Sequence, residues 1–176
     1  MRLAIGGLAG SGTSTLASLL SERLEVPVVS SGELFRQMAE QEQLSLSEFG
    51  AMCEKDPEVD RKVDERMRRL SEGMEGGIFE ARLAAHFAVA DLKVWLKAPS
   101  DVRAKRVAQR EGLDVSDALT LTLAREKSEQ RRYEQYYGID INDLAAYDVV
   151  LDSHTFDPLQ LVEAMVCCIE LLSLGR

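Results

Sequence analysis

The stretch that decides the fold is residues 6–15, GGLAGSGTST. From Gly7 to Ser14 it matches the spacing G-x-x-x-x-G-K-[ST] of a phosphate-binding P-loop, except that Thr13 stands where the lysine belongs. Leu3 to Gly6 is a short apolar run, read as a strand, and Thr13 to Leu24 places apolar residues at 16, 19, 20 and 24, a helical spacing. A glycine-rich turn between strand and helix offers backbone N–H groups, and the partial positive charge of the helix N-terminus, to anionic oxygens. The bare spacing also fits an ordinary strand-to-helix turn or a dinucleotide loop. Ser14 holds the position whose hydroxyl contacts Mg²⁺ in such loops, with Thr15 beside it; both could instead simply cap the helix.

Outward from the loop, strands alternate with helices. Val26–Val29 reads as a second strand, and Ser30 stands three residues before Glu33, the capping-box pattern that opens a helix with Leu34, Phe35 and Met38 on one face. Asp56-Pro57 places an N-cap before a first-turn proline, and the charged stretch to Leu70 reads as a largely exposed helix ended by Gly73. Residues 31–73 thus form a helical insertion. Gly77–Glu80, Leu92–Leu96 and Tyr147–Leu151 are further strands, with a helix over Leu83–Ala90, one long charged helix over Asp114–Gly138 and an amphipathic closing helix over Pro158–Leu172. This order predicts an α/β fold with a parallel sheet flanked by helices, and ligands at the C-terminal ends of its strands.

Composition narrows the function. The 176 residues, 45% hydrophobic, suffice for one globular domain. Cys53, Cys167 and Cys168 form no C-x-x-C pair, which predicts neither a disulfide framework nor a zinc site and fits a reducing cytoplasm. Only Leu3, Ala4 and Ile5 precede the glycines, too few for a signal peptide, and no later run approaches a membrane span, so no membrane partner is expected. A net charge of −9 opposes binding to nucleic acid.

Against that acidic background the cationic clusters are informative. Arg103, Arg106 and Arg110 fall at i, i+3 and i+7, and Arg125, Glu129 and Arg132 at i, i+4 and i+7, so each trio shares one helix face. Converging guanidiniums suit polyphosphate; a solvated face laced by Glu–Arg pairs is the alternative. In SSGELFR, residues 30–36, Arg36 lies just over one turn into a helix at the C-terminal edge of the sheet, where it could hold a second phosphate or simply be solvated. In IFEAR, residues 78–82, Glu80 closes a strand and Arg82 begins the next helix; such a carboxylate can hold Mg²⁺-bound water or orient arginines, or be exposed where the strand stops. His86 and His154 read as structural, and Trp95 as core.

Taken together, GSGTST (10–15), SSGELFR (30–36), IFEARLAAH (78–86), DLKVWLKAPSDVRAKRVAQREG (91–112) and REKSEQRRYEQYYGIDINDLAAYDVVLDS (125–153) resemble the archaeal type of cytidylate kinase, a family of nucleoside monophosphate kinases in which threonine takes the P-loop lysine position. The order and spacing of the five stretches carry the resemblance over nearly the whole chain. It implies a single P-loop kinase domain acting on ATP and CMP or dCMP with Mg²⁺. The core would comprise about 1–30, 76–100 and 145–176, with a monophosphate-binding helical insertion at about 31–73 and an arginine-rich lid at about 101–138. A cytoplasmic monomer is expected.

Position by position, Gly7, Leu8, Ala9, Gly10, Ser11, Gly12, Thr13, Ser14 and Thr15 would hold the ATP phosphates, with Ser14 on the metal. Ser31, Gly32, Arg36, Glu80, Arg82 and Glu129 would serve the monophosphate. Arg103, Arg106, Arg125 and Arg132 would act from the lid, the last pair replacing the lysine's charge. Ala81 replaces the glycine of an E-G-R pattern, and Met67 stands where the family pattern has glutamine in the insertion. The alternatives are a kinase for UMP or AMP and a non-catalytic nucleotide-binding module, the latter disfavoured because a mere binder needs no second set of phosphate-binding arginines.

Overall fold

Five short strands form one parallel sheet in the order β2-β3-β1-β4-β5. The computed structural model describes residues 1–174, so 175 and 176, the end of the expected closing core segment, lie outside the described residues. The strands are β1 (Arg2–Gly7), β2 (Val28–Ser30), β3 (Gly77–Glu80), β4 (Leu92–Lys97) and β5 (Val149–Asp152). Between them run α1 (Thr13–Leu24), then α2 (Ser31–Gln41), α3 (Leu46–Cys53) and α4 (Glu58–Gly73) in the insertion. Next come α5 (Ala84–Phe87), α6 (Ser100–Glu111), α7 (Val115–Tyr137) and α8 (Pro158–Leu174).

Alternation along the strands assigns the two faces of the sheet. Leu3 and Ile5 of β1, Ile78 of β3 and Val94 and Leu96 of β4 pack with Leu16 and Leu20 of α1 and Leu161 and Met165 of α8. On the opposite face, Ala4 and Phe79 meet Met67 of α4, while Trp95 meets Leu83, Tyr133 of α7 and Ile141. The insertion has its own small core of Ala39, Phe49, Cys53 and Val59, in which the rings of Phe35 and Phe49 meet edge-on at 4.8 Å. Both layers of helix therefore cover the sheet.

Several boundaries differ from the sequence reading. The second strand starts late because Val26 donates its N–H to Ser21 and Pro27 has none; pairing begins at Val28. The helix expected over 83–90 shrinks to one turn, since the Val89 amide is captured by the Ser71 hydroxyl at 2.8 Å. Ser30 caps α2 through the Glu33 amide, but the reciprocal capping box forms at Ser45 and Glu48 of α3 instead. Pro57, rather than Asp56, takes the N-cap position of α4, while Asp56 accepts from the Glu58 amide. The largest difference is α4 itself: expected to be largely exposed, it buries Val59, Asp60, Val63, Met67 and Ser71.

At the C-terminal edge of the sheet lie the ends of β1, β2, β3 and β5, carrying Gly7, Ser30, Glu80 and Asp152. The register sets Ser30 and Ile5 beside Glu80, with β1 central in the sheet. The loop after β1 opens there.

Candidate active site

The loop between β1 and α1 depends on its glycines. Gly10 and Gly12 have φ of +79° and +93°, and a Cβ at Gly10 would lie 2.5 Å from the Arg103 carbonyl oxygen. Only glycine fits that approach. The loop carbonyls are held from behind: Arg82 donates to Gly7 O at 2.8 Å, Arg103 to Ala9 O at 3.1 Å, Arg106 to Gly10 O at 3.2 Å and the Ser153 hydroxyl to Ser11 O at 2.6 Å. With these carbonyls engaged by protein donors, the N–H groups at the start of α1 are what the loop offers to an anion.

That N-terminus opens onto a cleft of about 840 Å³ that runs from the loop to the insertion and α7. Ala9, Gly10, Gly12, Thr13, Ser14 and Thr15 line it, as do Ser31, Gly32, Arg36, Glu80, Arg82, Arg106, Arg125, Glu129 and Arg132. Gly7, Leu8, Ser11 and Arg103 are not among its lining residues. Arg103, expected to face the nucleotide, is instead 5% exposed and bound to Ala98 O, Ala9 O and Glu126 of α7. Its charge links the loop to α7. Arg106 likewise joins the loop to Ser153, through the hydroxyl at 2.9 Å and the carbonyl at 2.6 Å, but still borders the cleft.

Glu80 is the hub beneath α1. Only 6% exposed, it accepts from Thr13 Oγ1 at 2.6 Å and, at 3.4 Å, from Ser14 Oγ through one oxygen, and from Ser30 Oγ at 2.5 Å through the other. Thr13 is thus turned inward, away from the place a lysine would reach. Ser14 and Thr15 remain exposed. An exposed Ser14 hydroxyl beside a buried carboxylate is a hard-oxygen donor set that fits Mg²⁺. No group of three or more His, Cys, Asp or Glu able to hold a metal occurs among the described residues, so most of such an ion's ligands would be nucleotide phosphate and water.

Glu129, 4% exposed, organises the second charge cluster by accepting from Arg82 at 2.9 Å and Arg125 at 2.8 Å. Burial alone would raise its carboxyl, but Arg82 and then Arg125 outweigh it and bring it down to about 2. Arg132 is 4% exposed, 3.1 Å from Asp60 of α4, and donates to Gly50 O of the insertion at 2.9 Å. Arg36 is exposed and makes no hydrogen bond or ion pair among the described residues. Ala81 lines the cleft with its N–H on Ile5 O and a backbone outside the positive-φ region, so alanine is tolerated where the family pattern has glycine. Met67 is 1% exposed, lies in the core beside Phe79 and does not border the cleft.

Sequence reasoning missed Phe35, Asp60, Asp64 and Tyr133, which also line the cleft; the i, i+4 spacing of the two aspartates was the available signal. His154, read as structural, is exposed at the cleft, and His86 is exposed outside it. No helix of the described residues is long and apolar enough to cross a membrane.

The model of the cytidylate kinase-like family matches residues 2–155. The chain is 48% identical over 157 residues to the cytidylate kinase of Methanothermobacter thermautotrophicus, covering 89% of this chain and 98% of that one. It is 44% identical over 176 residues to that of Methanosarcina barkeri, covering 98% of both. Among solved structures, the deoxyadenosine kinase from M. mycoides aligns with a TM-score of 0.59 at 15% identity, over 97% of this chain and 99% of that one. The shikimate kinase from Bacteroides thetaiotaomicron aligns at 0.57 and 17%, over 98% of each. At such identities the structural likenesses speak for the fold alone.

Proposed function

The chain belongs to the cytidylate kinase-like family, and from that membership we propose that it transfers the γ-phosphoryl group of ATP to CMP, and also to dCMP, yielding CDP and dCDP. The observation that carries this reading is a single cleft shared by the N-terminus of α1 and a wall bearing Arg36, Arg82, Arg125 and Arg132, room for two phosphate-bearing ligands facing each other. The residues 1–30, 76–100 and 145–176 would be the core, 31–73 the monophosphate-binding insertion and 101–138 the lid. With three free cysteines and net charge −9, the protein is read as a cytoplasmic monomer acting on small nucleotides.

In this reading the loop from Gly7 to Thr15 holds the ATP phosphates on its amides, and Arg106 borders them from α6. Arg36 and Arg82 hold the phosphate of the acceptor, with Ser31 and Gly32 at the start of α2 beside it. Ser14, supported by Glu80, would hold Mg²⁺, which when bound neutralises charge on the β and γ phosphates. The acceptor is a phosphate oxygen already ionised near neutral pH, so the protein has no proton to remove. Its task is alignment, exclusion of water and cationic stabilisation of the group in flight. Arg125, kept in place by Glu129, is the cation best situated for the last role.

The deciding experiment is a coupled assay with ATP and CMP, dCMP, UMP, AMP or GMP as acceptor. CMP and dCMP should be turned over most efficiently. Equal or better turnover of UMP or AMP would overturn the base assignment, and no turnover of any acceptor would favour a non-catalytic module.

A further inference from the structure

Two carboxylates of α7, one turn apart, stand behind the phosphate loop. Glu129 holds Arg82, which donates to Gly7 O, and Glu126 holds Arg103, which donates to Ala9 O at 3.1 Å. In a planar trans peptide the carbonyl oxygen and the N–H that follows it point in opposite directions, so a donor that pins the carbonyl also aims the amide. Each grip can be followed to the amide it sets. Arg82 on Gly7 O aims the N–H of Leu8, which does not line the cleft, and Arg106 on Gly10 O aims that of Ser11, which is engaged by Leu8 O at 3.0 Å. The Ser153 hydroxyl on Ser11 O aims the N–H of Gly12, at the cleft. Arg103 on Ala9 O aims the N–H of Gly10, which also lines the cleft and whose N–H has no hydrogen-bond partner among the described residues.

Arg103 does not keep that place unaided. Its Nε donates to Ala98 O at 3.0 Å, its Nη1 to both Ala9 O and Glu126 Oε1, and its Nη2 lies 3.3 Å from Glu126 Oε2. The Arg103 side chain is 6% exposed and that of Glu126 14%, and a guanidinium so buried is drawn toward water when its counter-charge is removed. We propose that Glu126 is a positioning residue for ATP: by neutralising Arg103 and holding its planar fork, it fixes the Ala9 carbonyl and thereby the direction of the Gly10 amide that meets the phosphates. Neither Glu126 nor Arg103 lines the cleft, so the effect passes through the loop backbone. With Thr13 in the lysine position, the loop binds an anion by its amides, and their aim decides how well. This role rests on the reading of the loop as the ATP site of a nucleoside monophosphate kinase.

Two variants break this brace from opposite ends. Glu126→Gln removes the counter-charge at nearly constant shape, and Arg103→Lys keeps the charge but lacks the fork that reaches Ala9 O and both Glu126 oxygens. In protein shown by thermal melts to be folded, each should raise KM for ATP at least about tenfold while KM for CMP stays within about twofold of wild type. Inorganic tripolyphosphate offers the loop phosphates without base or ribose. Its inhibition constant against ATP should rise with the KM, whereas a general loosening of the fold would weaken CMP and ATP alike. The double variant should be no worse than the worse single one, as for two residues acting as a unit. KM for ATP within about twofold of wild type in both folded variants, equal losses for CMP, or additive losses in the double variant overturn the inference while leaving CMP phosphorylation intact. Wild-type protein that does not phosphorylate CMP with ATP would instead refute the reading on which it rests.

Discussion

Thr13 donates its hydroxyl to Glu80 across 2.6 Å, from the very position at which a P-loop lysine would reach outward to phosphate. The loop has therefore no cation of its own at that point; the threonine braces α1 against the end of β3. Removing it should damage stability more than chemistry. Thr13→Ala should lose about 1.5–3 kcal/mol in denaturant titration, the scale of a hydrogen bond to a charged group, with kcat/KM reduced no more than about tenfold. A variant of unchanged stability and crippled turnover would mean that Thr13 acts on the nucleotide.

If the loop lacks its lysine, the arginines of α7 divide its role unequally. Arg125 has a side chain 31% exposed, is held by Glu129 and borders the cleft, so Arg125→Ala should lower kcat by at least about 10²-fold with the fold intact. Arg132, which the sequence pairs with it as a second source of charge, is anchored between Asp60 and Gly50. Arg132→Ala leaves Asp60 buried without a counter-charge and should cost about 3–5 kcal/mol of stability. In the fraction that remains folded, KM for the monophosphate should rise more than kcat falls. Steady-state kinetics on both variants, alongside urea melts, separates these roles; equal kcat losses would place both arginines at the transferring group.

What could be read from the sequence follows from the range of the forces involved. The loop, α1 and the central strands are fixed by local spacing and alternation, and they stand where those patterns put them. That the face bearing Asp60 and Asp64 turns inward was not legible because EVDRKVDERMRRL has the composition of a solvated helix; that face is covered by α2, α3, α5 and β3 packed against α4, with Arg132 and Tyr137 reaching in from α7. The trio Arg103, Arg106 and Arg110 shows the same limit. Equivalent by helical spacing, they range from the buried Arg103 to the exposed Arg110, because Glu126 and the Ala9 carbonyl, remote in sequence, capture the first.

Acid should loosen the tie between the sheet and α7. The Glu129 carboxyl is depressed to about 2 in the folded protein, below the ordinary value of about 4.3. Its contribution to stability is therefore complete above that ordinary value and is lost as pH falls toward 2. Thermal melts should show wild type losing stability steeply between about pH 4.5 and 2, and Glu129→Gln, less stable at neutral pH, losing much less over that window. Parallel curves for the two proteins would remove Glu129 from the account of acid sensitivity.

Asp64 titrates in the opposite sense and closer to neutrality. Burial pushes its carboxyl up to about 7, against the hydrogen bond from Tyr137; Asp60 on the same helix raises it further, and Arg132 of α7 lowers it. Raised above its unfolded value of about 3.9, the group favours the folded state most below that pH, and the advantage fades as pH rises through 7. Relative to Asp64→Asn, wild type should thus lose stability between about pH 4 and 7. Thermal melts of the two proteins across that window check this, and parallel curves would remove the ionisation of Asp64 from the pH dependence of stability.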